Sequence, residues 1–146
     1  MPRETRCQAA VIKNGSILMV KHKNRRLGHE YWWLPGGGME PGESQEECVL
    51  REVMEETHLE VQIERLLFET KDPDKQYTYH RYVTYLCTPV SGEAAAGTEG
   101  GDSPLHSITE VGWYPIWDER QWEPGFYEEH IYPLLRSIQA ALRIDL

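Results

Sequence analysis

The chain has 146 residues, 40% hydrophobic and 27% charged, with a net charge of −9. That length suits one domain spanning 1–146 with a real core. The acidic balance makes the chain a poor general binder of nucleic-acid backbones or anionic membranes, and repels a phosphate substrate unless cations intervene. No apolar run approaches the roughly 20 residues that span a bilayer, and no basic-then-apolar leader opens the sequence. Three cysteines, Cys7, Cys48 and Cys87, are an odd number without metal-type spacing. They fit buried or half-buried thiols in a reducing compartment, so the expected location is cytoplasmic.

Residues 5–13 read as a strand, Asn14-Gly15 as a hairpin turn, and Ser16–Val20 as a buried second strand. Lys21, His22, Lys23, Arg25 and Arg26 form the basic run. It is either a solvated loop or a segment that meets substrate phosphates. Arg25 and Arg26 are the better candidates for the second role, because a planar guanidinium matches phosphate oxygens. Tyr31, Trp32 and Trp33 follow, to line a base-stacking pocket or to pack in the core.

Pro35 and the three glycines Gly36, Gly37 and Gly38 read as a loop. Ser44 and Glu47 form a capping box that starts a helix. On that helix Glu52, Glu55 and Glu56 share a face. Leu50, Val53 and Thr57 lie nearly opposite, with Met54 at their edge, and should face a core. Placing like charges three and four residues apart is unfavourable by roughly 0.2–0.5 kcal/mol per pair. A solvated face, relieved by Arg51, would tolerate this. A divalent cation would offset it, since hard cations such as Mg²⁺ prefer oxygen ligands.

Beyond the helix, Leu59–Glu69 reads as a strand, Asp72-Pro73-Asp74 as a turn, and Tyr77–Val90 as a central strand. Residues 91–104 are rich in glycine, alanine and acid, and are expected to be mobile. Glu99 and Asp102 there could reach a metal or a water, or stand as solvated tips. Ile108–Pro115 is a short strand. The aromatic stretch Trp113–Tyr132 could be core, pocket or homodimer interface. Tyr127–Leu146 reads as a helix, with Ile131, Leu134, Leu135, Ile138 and Leu142 at helical spacing.

The spacing Gly37, five residues, Glu43, seven residues, Arg51-Glu52-Val53-x-Glu55-Glu56-x-His58-Leu59 resembles the Nudix box. It departs from it only at His58, where the family has glycine. A non-glycine residue in the left-handed conformation expected there costs roughly 1–2 kcal/mol, and histidine tolerates it comparatively well. Glu110-Val111-Gly112-Trp113-Tyr114-Pro115 further resembles a segment that follows the box in many Nudix proteins. The resemblance implies an α/β class, with an α/β/α sandwich whose mixed sheet lies between the box helix and the C-terminal helix. It implies hydrolysis of a nucleoside diphosphate linked to another moiety: a nucleoside triphosphate, a dinucleoside polyphosphate or a nucleotide sugar such as ADP-ribose. The cofactor would be Mg²⁺ or Mn²⁺, held by Glu52, Glu55, Glu56 and the Gly37 carbonyl. These three glutamates would be the catalytic residues, and Glu43 and Arg51 a structural salt bridge. Arg25, Arg26, Trp32, Tyr77 and Glu99 are candidates for contacting the substrate, Tyr77 by a faint likeness to dinucleoside polyphosphate hydrolases. The partner implied is a small nucleotide, with neither nucleic acid nor membrane. The rival reading is a Nudix-like module that senses a nucleotide without cleaving it.

Overall fold

The computed structural model describes residues 5–24, 29–71, 79–97, 106–122 and 128–144. Its elements in chain order are β1 (Thr5–Lys13), β2 (Ser16–Asn24), β3 (His29–Trp33), β4 (Gly36–Gly38), α1 (Gln45–Thr57), β5 (Glu60–Lys71), β6 (Arg81–Ser91), β7 (His106–Pro115) and α2 (Glu128–Arg143). A 3₁₀ turn, Glu119–Gln121, precedes α2.

The opening hairpin turns at Asn14 and Gly15, whose φ values of 51° and 76° are both positive, as a tight two-residue turn between right-twisted strands requires. β1 and β2 stay paired only next to this turn, at Ile12–Ile17 and Lys13–Ser16. Farther along, β1 runs parallel to β6 over Thr5–Val11 and takes β4 on its other edge. β2 separates to pair with β3 and β7, both antiparallel. β5 completes the sheet against β6. The sheet is therefore mixed, with β1 and β6 at its centre.

Period-two alternation sorts β1 between two cores. Cys7, Ala9 and Val11 join Cys48, Val49 and Val53 of α1. Ala10 joins Ile131, Leu135 and Ile138 of α2, with Ile17, Met19, Trp32, Leu34 and Trp122. The fold is thus α/β, a mixed sheet between the box helix and the C-terminal helix. All three cysteines are buried free thiols. Among the described residues, no helix is long and apolar enough to cross a membrane.

Several expectations need correction. Gly36–Gly38 is not a loop but the short strand β4, paired to Arg6–Gln8. Lys21, His22 and Lys23 continue β2 instead of entering a loop, because β3 and β7 supply ladder partners on both sides. Among the described residues β6 begins at Arg81, and Tyr77 lies outside them. On α1, Leu50 and Met54 are 41% and 44% exposed, whereas Glu52 and Glu56 are buried. The helix lays its Val49–Val53 seam on the sheet, and this carries the flanking Glu52 and Glu56 beneath β4. The start of the long connection is tied down: Ala95 and Gly97 donate their amides to the Thr57 and Glu56 carbonyls at 3.0 and 2.9 Å. Trp122 is core, while Trp117 is exposed beneath the Arg143 guanidinium. The turn at 72–74 lies outside the described residues.

Helix α1 is delimited by its own sequence. Ser44 caps it through a reciprocal pair with Glu47, both bonds at 3.0 Å. His58 ends it at φ 63°, in the left-handed region. His58→Gly should therefore stabilise the fold by about 0.5–1 kcal/mol after allowing for the extra freedom glycine gives the unfolded chain. Thermal denaturation would read a midpoint rise of about 2 °C; a fall would contradict the strain at this helix exit.

Candidate functional site

Each glycine of β4 meets one residue of α1. The Gly36 amide donates to Glu56 Oε1 at 2.8 Å. At Gly37, a Cβ would lie 2.5 Å from Glu52 Oε1, so the Glu52 carboxylate fills the space where a side chain would be. The Gly38 carbonyl accepts from Arg51 Nη2 at 3.2 Å. A side chain at Gly37 would push against Glu52 of the helix, and one at Gly36 against the backbone of β1. The glycines are the condition for burying Glu52 and Glu56, which are only 5% and 2% exposed.

Arg51 organises the charge. Its Nε and Nη2 donate to both oxygens of Glu43, at 2.7 and 2.9 Å, in a fork-to-carboxylate pair. Nη1 reaches Glu52 at 2.9 Å and Glu55 at 3.3 Å, and lies 3.7 Å from Glu40. Glu43 also accepts the Glu40 amide at 3.0 Å. These bonds, those from Arg51 first, hold the Glu43 carboxyl down at about 2. The same hydrogen bonds push the Arg51 guanidinium further up. Glu52 moves the other way. Burial raises its carboxyl above the ordinary carboxylate value, against the attraction of Arg51. Behind Gly37, the Cys48 thiol donates to the Gly37 carbonyl at 3.6 Å.

The oxygens expected to hold a metal are the Glu52, Glu55 and Glu56 carboxylates and the Gly37 carbonyl. This all-oxygen set fits Mg²⁺ or Mn²⁺ better than softer metals. Among the described residues, no three acidic, histidine or cysteine side chains already converge as a metal cluster. The Arg51 guanidinium stands between Glu52 and Glu55 instead.

Of the other candidates, Trp32 is 1% exposed and packs in the α2-side core, edge-on to Tyr114 with ring centroids 5.4 Å apart. Its packing reading is the one the fold takes. Arg25, Arg26, Tyr77, Glu99 and Asp102 lie outside the described residues. Sequence reasoning missed a polar group on the opposite face of β1, where Gln8 joins Arg6, Trp33 and Thr84. The one available signal was a glutamine inside an otherwise apolar strand.

The glycine contacts make a contrast measurable by thermal denaturation. Gly36→Ala would drive a Cβ to within 2.5 Å of the Cys7 carbonyl oxygen and 2.7 Å of the Gln8 Cα, both backbone atoms. It should cost about 1–3 kcal/mol. Gly37→Ala meets first the flexible Glu52 carboxylate, so it should destabilise less while displacing that carboxylate. The reverse order would contradict the role assigned to β4.

The sequence model of the NUDIX domain matches residues 4–135. The chain is 31% identical over 102 residues to an ADP-ribose pyrophosphatase of Methanocaldococcus jannaschii, covering 69% of this chain and 60% of that protein. It is 34% identical over 77 residues to an RNA pyrophosphohydrolase of Acinetobacter baylyi, covering 53% and 44%. The match therefore spans less than two thirds of either curated relative. A NUDIX hydrolase from Nitrosomonas europaea has the same fold, with a TM-score of 0.72 at 21% identity over 94% of this chain and 89% of that one. By its match over nearly the whole length, the chain belongs to the Nudix family.

Proposed function

We propose that the chain is a Mg²⁺- or Mn²⁺-dependent pyrophosphohydrolase. It would cleave the diphosphate linkage of a small nucleotide: a nucleoside triphosphate, a dinucleoside polyphosphate or a nucleotide sugar such as ADP-ribose. The observation that carries this reading is the pressing of β4 onto α1, which buries Glu52 and Glu56 beside a backbone carbonyl. Burying carboxylates is costly, and a divalent cation bound there would offset that cost.

In this reading Glu52, Glu55, Glu56 and the Gly37 carbonyl hold the metal. The bound metal would screen the diphosphate oxygens and lower the pKa of water. The residues around it do the rest. Gly36 fixes the Glu56 carboxylate through its amide. Arg51 orients Glu52 and Glu55 and ties them to Glu43. Glu52, packed against Gly37 and oriented by Arg51, would take the proton of the attacking water. The names of the two curated relatives both denote cleavage of a pyrophosphate linkage, which supports that bond as the target. Retention of all three helix carboxylates argues against a module that only senses nucleotides.

The test is a hydrolysis screen with Mg²⁺ and Mn²⁺ over nucleoside triphosphates, diadenosine polyphosphates, ADP-ribose and sugar nucleotides. Turnover is expected on at least one class. Glu52→Gln and Glu56→Gln should each lower it by about 100-fold or more with the fold intact. A Glu52→Gln enzyme keeping half the wild-type rate would remove Glu52 from the chemistry. Nucleotide binding with no turnover on any class would favour the sensing module.

A further inference from the structure

Arg6 is a half-buried arginine on β1 with no carboxylate within 4 Å among the described residues. Its two hydrogen bonds go to neutral acceptors. Nε donates to Gln8 Oε1 at 3.2 Å, and Nη2 to the Leu34 carbonyl at 3.0 Å. The setting makes this unusual. Arg51, Arg81, Arg120 and Arg136 each have a carboxylate oxygen within 3 Å, in a chain with 24 acidic residues. Withdrawing a guanidinium from water without a counter-charge is unfavourable. Neutral acceptors fix its direction and leave it without a direct ion pair among the described residues. Three of its five N–H donors have no partner among the described residues.

Gln8 is built to hold this arrangement. It is buried, and both ends of its amide are committed. Oε1 accepts from Arg6 and from Trp33 Nε1, the latter at 3.1 Å, while Nε2 donates to the buried Thr84 hydroxyl at 3.0 Å. One fixed amide thus sets an arginine and an indole side by side. Their location is specific too. Arg6 is the cross-strand partner of Gly38, one residue from Gly37 on the strand that covers Glu52. Tyr82 is its neighbour on the same face of β6.

We propose that Arg6 contacts the substrate, its guanidinium taking a phosphate of the nucleotide beside the Trp33 ring, with Gln8 as the residue that positions it. The proposal rests on the hydrolase reading above and adds to it a phosphate contact outside the box. The bound phosphate supplies the counter-charge that the protein withholds.

The experiment is calorimetric titration of ADP with Mg²⁺ into the full chain, wild type, Arg6→Gln and Arg6→Lys, at several salt concentrations. Loss of a charge-assisted contact should weaken ADP binding by about tenfold or more in Arg6→Gln. The salt dependence of the dissociation constant should also become shallower, and Arg6→Lys should recover part of both. If Arg6→Gln fails to fold, Arg6→Lys decides, since it keeps the charge without the fork and must bind ADP more weakly than wild type. Unchanged ADP affinity, an unchanged salt slope, a loss that lysine does not restore, or no ADP binding by the wild type would each overturn the proposal. Failure of the hydrolase reading looks different: ADP binding would still depend on Arg6 while the wild type hydrolyses nothing in the screen.

Discussion

One guanidinium holds the box together. Arg51 binds Glu43 with both edges of its fork and reaches Glu52 and Glu55 with its remaining nitrogen. Without it, the glutamates of α1 would repel one another on a single helix turn, with Glu52 out of reach of water. Because Glu43 belongs to the loop before α1 and Gly38 to β4, the same side chain joins three segments. Such a network is strong while complete and costly when one member is removed, since the residues left behind keep their burial.

The backbone sets the second constraint. β4 lies close against both β1 and α1 because Gly36 and Gly37 carry no side chain. The two positions are not equivalent. A side chain at Gly36 would strike backbone, and one at Gly37 would strike the Glu52 carboxylate. Pairing with β1 satisfies the strand's backbone groups on one edge, and the Gly36 amide serves Glu56 on the helix side. The fold therefore delivers two carboxylates to a sheltered place, Glu56 held by a main-chain amide and Glu52 by Arg51.

Local chemistry explains which features could be read from the sequence. The capping box at Ser44 and Glu47, the Asn14-Gly15 turn and the left-handed exit at His58 each depend on residues within four positions of one another, and each formed as read. The features that were misread depend on distant partners. Glycine runs favour loops until a neighbouring strand and a helix demand close approach, as β1 and α1 do at β4. The Lys21–Lys23 segment is polar by composition, but β3 and β7 flank it and make it strand. Helical spacing placed Glu52, Glu55 and Glu56 together, but could not show that the apolar seam of Val49 and Val53 lies beside Glu52 and Glu56 instead of opposite them. Gln8 carried almost no signal, because its partners Thr84 and Trp33 are 76 and 25 residues away.

The central claim is that the buried carboxylates beneath β4 form a site for a divalent cation, with Arg51 pairing Glu52 until it binds. Its most direct test is a titration of Mn²⁺ into the wild-type protein and into Glu56→Gln, following the free ion by electron paramagnetic resonance. The account predicts saturable Mn²⁺ binding to the wild type that the variant loses or weakens by about tenfold or more. Equal Mn²⁺ binding by both proteins, or none by the wild type, would contradict it.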